Sequence, residues 1–224
     1  MTPFEAVLFD LDGTLCRRTQ DTQRLYARTF ERAGEQPFGT PDALWAALDG
    51  PPDHDDIIGY YGAGFARLAA QHGRSDADPI ALARALRSHV DNAAVELHPG
   101  AERAITSAGA NGRLGLVTNG PETQQSEKLD ALGIADRFDV LVFAADLPRS
   151  KPHRVPFETA LDPLAIAPER ALYVGNSLGY DVAGAQNAGM AVAWLRGDDD
   201  VGGYDPEYTI ESLAELPAIL DGER

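Results

Sequence analysis

Five short apolar runs, separated by amphipathic helical patterns, constrain the fold of this chain more than any other feature. The runs are Ala6–Phe9, Leu114–Val117, Val140–Phe143, Ala171–Val174 and Ala191–Leu195. Because each run is apolar without alternation, it is typical of a strand buried on both faces. Helical patterns between the runs, such as Glu122–Leu132 and Asp181–Ala188, are each followed by a glycine. This order predicts an α/β fold with a doubly wound, Rossmann-like parallel sheet.

Residues 16–97 interrupt this alternation, since they contain several helical patterns but no clear strand. One helical face, with Leu25, Tyr26 and Phe30, ends at Gly34, and a later helix begins at Asp78-Pro79. We therefore predict two domains. Residues 1–15 and 98–224 would form the α/β core, and residues 16–97 would form an all-helical domain inserted after the first strand.

The formal net charge of −16 argues against a protein that binds nucleic acid or an anionic membrane, because both ligands require positive surface. No apolar run approaches the roughly 20 residues that span a bilayer, and no secretory leader is evident. The single cysteine, Cys16, excludes an internal disulfide and is interpreted as a packing residue. We expect a soluble cytoplasmic protein, and the sequence leaves open whether it is a monomer or a homodimer.

The basic residues have an unusual distribution. Lys128 and Lys151 are the two lysines among 19 basic residues, and the others are arginine. An acidic, lysine-poor surface suits a salt-rich cytoplasm, in which salt screens the self-repulsion of the protein. We therefore expect a halophilic source.

Polar residues follow four of the apolar runs, at the points where ligands bind in an open α/β sheet. Asp10 and Asp12 follow the first run, and Lys151 lies in the loop after the third. The second run is followed by Thr118, Asn119 and Gly120, and the fourth by Asn176 and Asp181. Unpaired carboxylates at the end of a buried strand are costly, so this joint pattern favours a catalytic site.

These segments resemble the four motifs of the haloacid dehalogenase-like (HAD) superfamily, whose members are mostly phosphatases. The motifs are FDLDGTL at 9–15, VTNG at 117–120, SKP at 150–152 and YVGNSLGYDVAGAQNAGM at 173–190. The helical insertion stands where the phosphatase branch of this superfamily carries a cap. The resemblance covers nearly the whole chain, including a final strand at Tyr208–Ile210 and a helix at Ser212–Leu220.

The resemblance implies a role for each candidate residue. Asp10 would be the nucleophile that forms an aspartyl-phosphate, and Asp12 would be the general acid and base. Thr118, Asn119 and Gly120 would bind the phosphate, and Lys151 would balance its charge. A lysine in a proline-bounded loop of such an arginine-rich chain independently favours a functional role for Lys151.

The resemblance also implies Mg²⁺ as cofactor, bound by Asp10, Asp12, Asn176 and Asp181. Asn176 departs from the family pattern, which has an aspartate at this position. Three interpretations follow: a working site that binds metal more weakly, a site in which Asp181 is the main ligand, or an impaired enzyme.

The expected activity is Mg²⁺-dependent hydrolysis of a small phosphorylated metabolite. A 2-haloacid dehalogenase is an alternative, but that reaction needs neither Mg²⁺ nor a second aspartate such as Asp12. A phosphate-transferring mutase and a catalytically weakened phosphate-binding protein also stay open. The sequence does not indicate which phosphate ester is the substrate.

Overall fold

The computed structural model describes residues 4–48, 52–197 and 200–223. The chain forms two compact units, Met1–Arg18 together with Asn92–Arg224, and Thr19–Asp91. The strands are β1 (Ala6–Phe9), β2 (Cys16–Arg18), β3 (Val95–Leu97), β4 (Arg113–Thr118), β5 (Val140–Phe143), β6 (Ala171–Gly175), β7 (Ala191–Leu195) and β8 (Tyr208–Ile210). The helices are α1 (Thr22–Ala33), α2 (Pro41–Ala47), α3 (Ile57–Gln71), α4 (Pro79–His89), α5 (Ala101–Asn111), α6 (Glu122–Leu132), α7 (Val155–Leu164), α8 (Ala183–Asn187) and α9 (Leu216–Leu220).

The first unit is built on a six-stranded parallel sheet with the order β5-β4-β1-β6-β7-β8. Side chains of β1 alternate between two apolar layers. Val7 and Phe9 pack in the layer with α5 and α9, whereas Ala6 and Leu8 pack in the layer with α7 and α8. Both faces of the sheet are thus covered, which explains why its strands are continuously apolar. This confirms the predicted α/β fold.

The second unit is helical in its described residues and has its own core. α1, α3 and α4 pack around the buried side chains of Phe30, Phe65 and Leu82. The caps indicated by the sequence are present, since Gly34 ends α1 in a left-handed conformation and Asp78 accepts hydrogen bonds at the start of α4. No helix in the described ranges is long and apolar enough to cross a membrane.

One sequence-based prediction about local structure is wrong, and a second needs its bounds changed. β2 and β3 form an antiparallel pair where the sequence predicts no strand, and Cys16 lies opposite Leu97 in it. Three-residue strands with exposed arginines carry too little periodicity to be recognised. The helix predicted for Asp181–Ala188 is present, but it begins earlier, as a π-helical turn at Leu178–Val182, and continues as α8.

Cys16 is fully buried in the layer that contains α5 and α9, as expected for a packing residue. Burial raises the pKa of its thiol to about 12. A thiol that stays protonated is a poor nucleophile, so the structure offers Cys16 no catalytic role.

Candidate active site

Asp10 directly follows β1, and two groups hold its carboxylate. Lys151 Nζ donates a hydrogen bond to Oδ1 at 2.8 Å, and the Thr14 hydroxyl donates to Oδ2 at 3.1 Å. Burial raises the pKa of Asp10 to about 7, although the nearby Lys151 ammonium opposes this shift. Asp10 is therefore a buried carboxylate whose charge is compensated mainly by Lys151.

Lys151 is itself buried and links the ends of three strands. Its Nζ lies 2.8 Å from Asp10 Oδ1, 2.7 Å from Asp181 Oδ1, 3.0 Å from the Val117 carbonyl oxygen and 2.9 Å from the Tyr173 hydroxyl oxygen. Burial alone would lower the pKa of Lys151, but the two carboxylates raise it above its ordinary value. The ammonium group stays charged and keeps two buried carboxylates together.

Asp12 lies in a tight turn after β1 rather than in the strand. Gly13 adopts a φ of 82°, a conformation that favours glycine, and a Cβ there would lie 2.7 Å from Asn176 Nδ2. The turn gives Asp12 partners different from those of Asp10. Lys128 Nζ lies 2.6 Å from both carboxylate oxygens, and Gln125 Nε2 donates to Oδ2 at 2.8 Å.

The two aspartates of the first motif have pKa values shifted in opposite directions. Burial would raise the pKa of Asp12, but the Lys128 ammonium and the hydrogen bonds from Lys128 and Gln125 hold it below its ordinary value. Burial instead dominates at Asp10. The two carboxylates therefore differ in the groups that set their charge, although they lie one residue apart.

The residues after β4 link the strand end to the Lys151 loop. The Asn119 side chain accepts a hydrogen bond from the Lys151 backbone N–H at 2.9 Å and donates to the Lys151 carbonyl at 3.1 Å. The buried Thr118 hydroxyl accepts hydrogen bonds from Gln125 Nε2 at 2.5 Å and from the Gly120 N–H at 3.4 Å. Thr118, Asn119 and Gly120 thus lie at the same edge of the sheet as Asp10.

Asp181 and Asn176 complete this edge. The Ser177 N–H donates to Asp181 Oδ2 at 2.9 Å, and a Cβ on Gly175 would lie 2.5 Å from the Asp181 side chain. The π-helical turn therefore brings Asp181 against the sheet, where Lys151 neutralises it. The Thr14 hydroxyl lies 3.1 Å from Asn176 Oδ1, and this places the amide oxygen near Asp10 Oδ2.

The donor chemistry at this edge fits a hard divalent cation. No cluster of three or more His, Cys, Asp or Glu suited to a metal occurs within residues 4–48, 52–197 and 200–223. The site offers two carboxylates, from Asp10 and Asp181, and the amide oxygen of Asn176. Oxygen ligands of this kind suit Mg²⁺, which retains several of its waters in protein sites.

Three residues that contact the site were missed by sequence reasoning: Lys128, Gln125 and Tyr173. Lys128 and Gln125 are almost fully buried on α6, although a helix carrying such residues is expected to expose them. The sequence did contain a signal for Lys128. Lysine is rare in this chain, and the rarity that favours a functional role for Lys151 applies equally to Lys128. Each of the two lysines of the chain is buried against one of the two aspartates of the first motif.

Comparison with known proteins identifies the family. The family model for haloacid dehalogenase-like hydrolases matches residues 4–189. The chain is 30% identical to pyrimidine 5'-nucleotidase YjjG of Escherichia coli over 231 residues, which cover 96% of each chain.

Solved structures show the same fold. A predicted phosphoglycolate phosphatase from Haemophilus somnus has a TM-score of 0.78 and 23% identity, and the match covers 98% of this chain and 99% of that chain. The HAD-hydrolase YfnB from Bacillus subtilis, described as bound to magnesium, has a TM-score of 0.74 and 25% identity over 97% and 99% of the two chains. With the family model matching most of its length, this chain belongs to the haloacid dehalogenase-like hydrolase family.

Proposed function

We propose that this protein is a Mg²⁺-dependent phosphatase that hydrolyses a small-molecule phosphomonoester through an aspartyl-phosphate. The observation that carries the proposal is the separation of the two motif aspartates, with Asp10 bound to Lys151 and Asp12 bound to Lys128. Two carboxylates with different partners suit a reaction that needs both a nucleophile and a proton donor. The similarity to a pyrimidine 5'-nucleotidase supports a phosphate ester as substrate.

In the first step, an oxygen of the Asp10 carboxylate attacks phosphorus while the bond from phosphorus to the ester oxygen breaks. Asp12, in its protonated form, gives its proton to the departing oxygen, so that a neutral alcohol leaves. Lys151 opposes the negative charge that Asp10 and the substrate bring together. The Thr118 hydroxyl and the Asn119 backbone N–H bind phosphoryl oxygens.

In the second step, water attacks phosphorus of the aspartyl-phosphate and restores the Asp10 carboxylate. Asp12 accepts the proton of that water, and its depressed pKa favours the ionised form that this role requires. The proton gained is the one that the next leaving group needs.

The Mg²⁺ would be held by the side chains of Asp10, Asp181 and Asn176 and by the backbone carbonyl of Asp12. Bound there, the ion would reduce the repulsion between Asp10 and the anionic substrate. The magnesium bound to the similar hydrolase YfnB supports this assignment. Of the three interpretations of Asn176, we favour a working site with weaker metal affinity, since Asp10 and Asp181 are both in place.

Replacing Asn176 with aspartate should raise the affinity for Mg²⁺ about tenfold, which corresponds to roughly 1.4 kcal/mol, because the ligand set gains a negative charge. The measurement is calorimetric titration of wild type and Asn176→Asp with Mg²⁺, without substrate. Asn176→Ala serves as the matched control and should bind more weakly than wild type. Equal affinities for all three proteins would show that Asn176 is not a ligand.

A substrate screen tests the proposed function. The protein is assayed for phosphate release from aryl and alkyl phosphates and for halide release from 2-haloacids, with and without Mg²⁺. Phosphate release that depends on the metal supports the proposal. Halide release would favour the dehalogenase alternative, and a folded protein inactive towards all esters would favour a phosphate-binding role.

The acidic, arginine-rich composition also supports a cytoplasmic, halophilic enzyme. Dissolved salt screens the repulsion among surface carboxylates, so such an enzyme gains activity and stability as salt increases. The same screen, repeated in low and in molar KCl, tests this expectation. Activity that is highest at low salt would contradict it.

A further inference from the structure

Lys128 is buried, but the carboxylate that it binds is not. The Lys128 side chain is 4% exposed, whereas the Asp12 side chain is 45% exposed. The ammonium therefore lies behind the carboxylate and leaves its other side open to a substrate. Lys128 therefore contacts the Asp12 carboxylate and would not contact the substrate itself.

Three hydrogen bonds from α6 fix the Asp12 carboxylate. Lys128 Nζ lies 2.6 Å from each oxygen, and Gln125 Nε2 lies 2.8 Å from Oδ2. Gln125 Nε2 is also 2.5 Å from the Thr118 hydroxyl oxygen, so the carboxylate is linked to the end of β4. Lys128 and Gln125 are three residues apart on one helix, and this spacing presents both donors on the same face.

A purely structural role explains this arrangement poorly. An ammonium removed from water is costly, and pairing it with a half-exposed carboxylate gives little stability in return. Burial of the Lys128 ammonium is explained if its role is to hold the Asp12 carboxylate in one orientation.

We infer that Lys128, together with Gln125, is a positioning residue that orients the Asp12 carboxylate for proton transfer to the leaving oxygen. This inference rests on the proposed function. Asp10 is held by a different lysine, so loss of Lys128 should impair proton transfer and leave the nucleophile in place. Productive proton transfer requires the carboxyl within hydrogen-bond reach of the oxygen that it serves.

The dependence of the rate on the leaving group tests this role. The substrates are p-nitrophenyl phosphate, whose leaving group needs no proton, and phenyl phosphate, whose leaving group is more basic. For Lys128→Met, we expect kcat/KM to fall by on the order of 10²-fold with phenyl phosphate but only by about threefold with p-nitrophenyl phosphate. Lys128→Arg, which retains the charge and donors, should recover part of the loss.

Two comparisons separate positioning from other roles. Asp12→Asn should show the same dependence on the leaving group, and adding Lys128→Met to it should cause no further loss, because Lys128 acts through Asp12. Arg113→Met is the matched control, since it removes a cation from the exposed pair with Asp139 and should leave both rates unchanged.

Each alternative outcome overturns the inference. Equal losses with the two substrates, together with a lower unfolding temperature, would assign Lys128 a structural role. Additive losses in the double variant would mean that Lys128 acts independently of Asp12. A wild type that is folded but releases phosphate from none of the screened esters, these two included, would overturn the proposed function and this inference with it. An active wild type matched by Lys128→Met on both esters would overturn this inference alone.

Discussion

Asp10→Asn is expected to lower phosphate release by about 10⁴-fold or more, because an amide lacks the anionic oxygen that attacks phosphorus. The substitution preserves the size of the side chain and leaves Lys151 paired with Asp181, 2.7 Å away. The variant should therefore fold, and its loss of activity should appear as a lower kcat. Steady-state kinetics on the best ester from the screen measure the loss of activity. Urea unfolding of wild type and Asp10→Asn measures any change in stability.

The covalent intermediate gives a second readout for Asp10. Borohydride reduction of wild type during turnover should convert residue 10 to homoserine, and peptide mass spectrometry should locate the change. Asp10→Asn should remain unmodified, and its intact mass excludes deamidation back to aspartate. Residual activity above about one per cent, or a modified residue elsewhere, would contradict the role of Asp10 as nucleophile.

Lys151→Met is expected to reduce both stability and activity. Lys151 is the cation between Asp10 and Asp181, whose side chains are 9% and 2% exposed. Removing one partner of a buried ion pair leaves uncompensated charge, which typically costs about 3–5 kcal/mol of unfolding free energy. Urea unfolding in the absence of metal measures this loss, and phosphate release measures the loss of activity.

A double variant distinguishes electrostatics from packing at Lys151. Lys151→Met combined with Asp181→Asn removes a cation and an anion together, so it should recover much of the stability lost in the single variant. It should not recover activity, because the substrate phosphate would still lack the Lys151 charge. If the single variant were as stable as wild type, or the double variant less stable than the single, the ion pair would not hold this site together.

The sheet and the candidate site residues could be proposed from the sequence because both depend on local patterns. A strand buried on two faces must be apolar throughout, so runs such as Ala6–Phe9 are recognisable without a structure. Parallel strands place their carboxyl ends at one edge. Asp10, Thr118 and Lys151 could therefore be assigned to a common site from their positions after such runs.

The partners of these residues depend on contacts between distant parts of the chain. Lys128 is 116 residues from Asp12, and Tyr173 is 22 residues from Lys151. Gln125 and Lys128 are buried on α6, but glutamine and lysine are also the residue types expected on a solvent-exposed helical face. Helical periodicity therefore does not show whether such a face is buried or exposed. The β2–β3 pair and the π-helical turn likewise form through interactions that short segments do not encode.

The sequence alone therefore determined the α/β architecture and the residues suited to the chemistry, because burial and strand direction leave a local pattern. Only the tertiary structure decided how the charges are paired. It placed Lys151 against Asp10 and Lys128 against Asp12, so that two aspartates one residue apart have different environments. The physical reason is that burial and ion pairing, which set the behaviour of a carboxylate, depend on neighbours in space rather than in sequence.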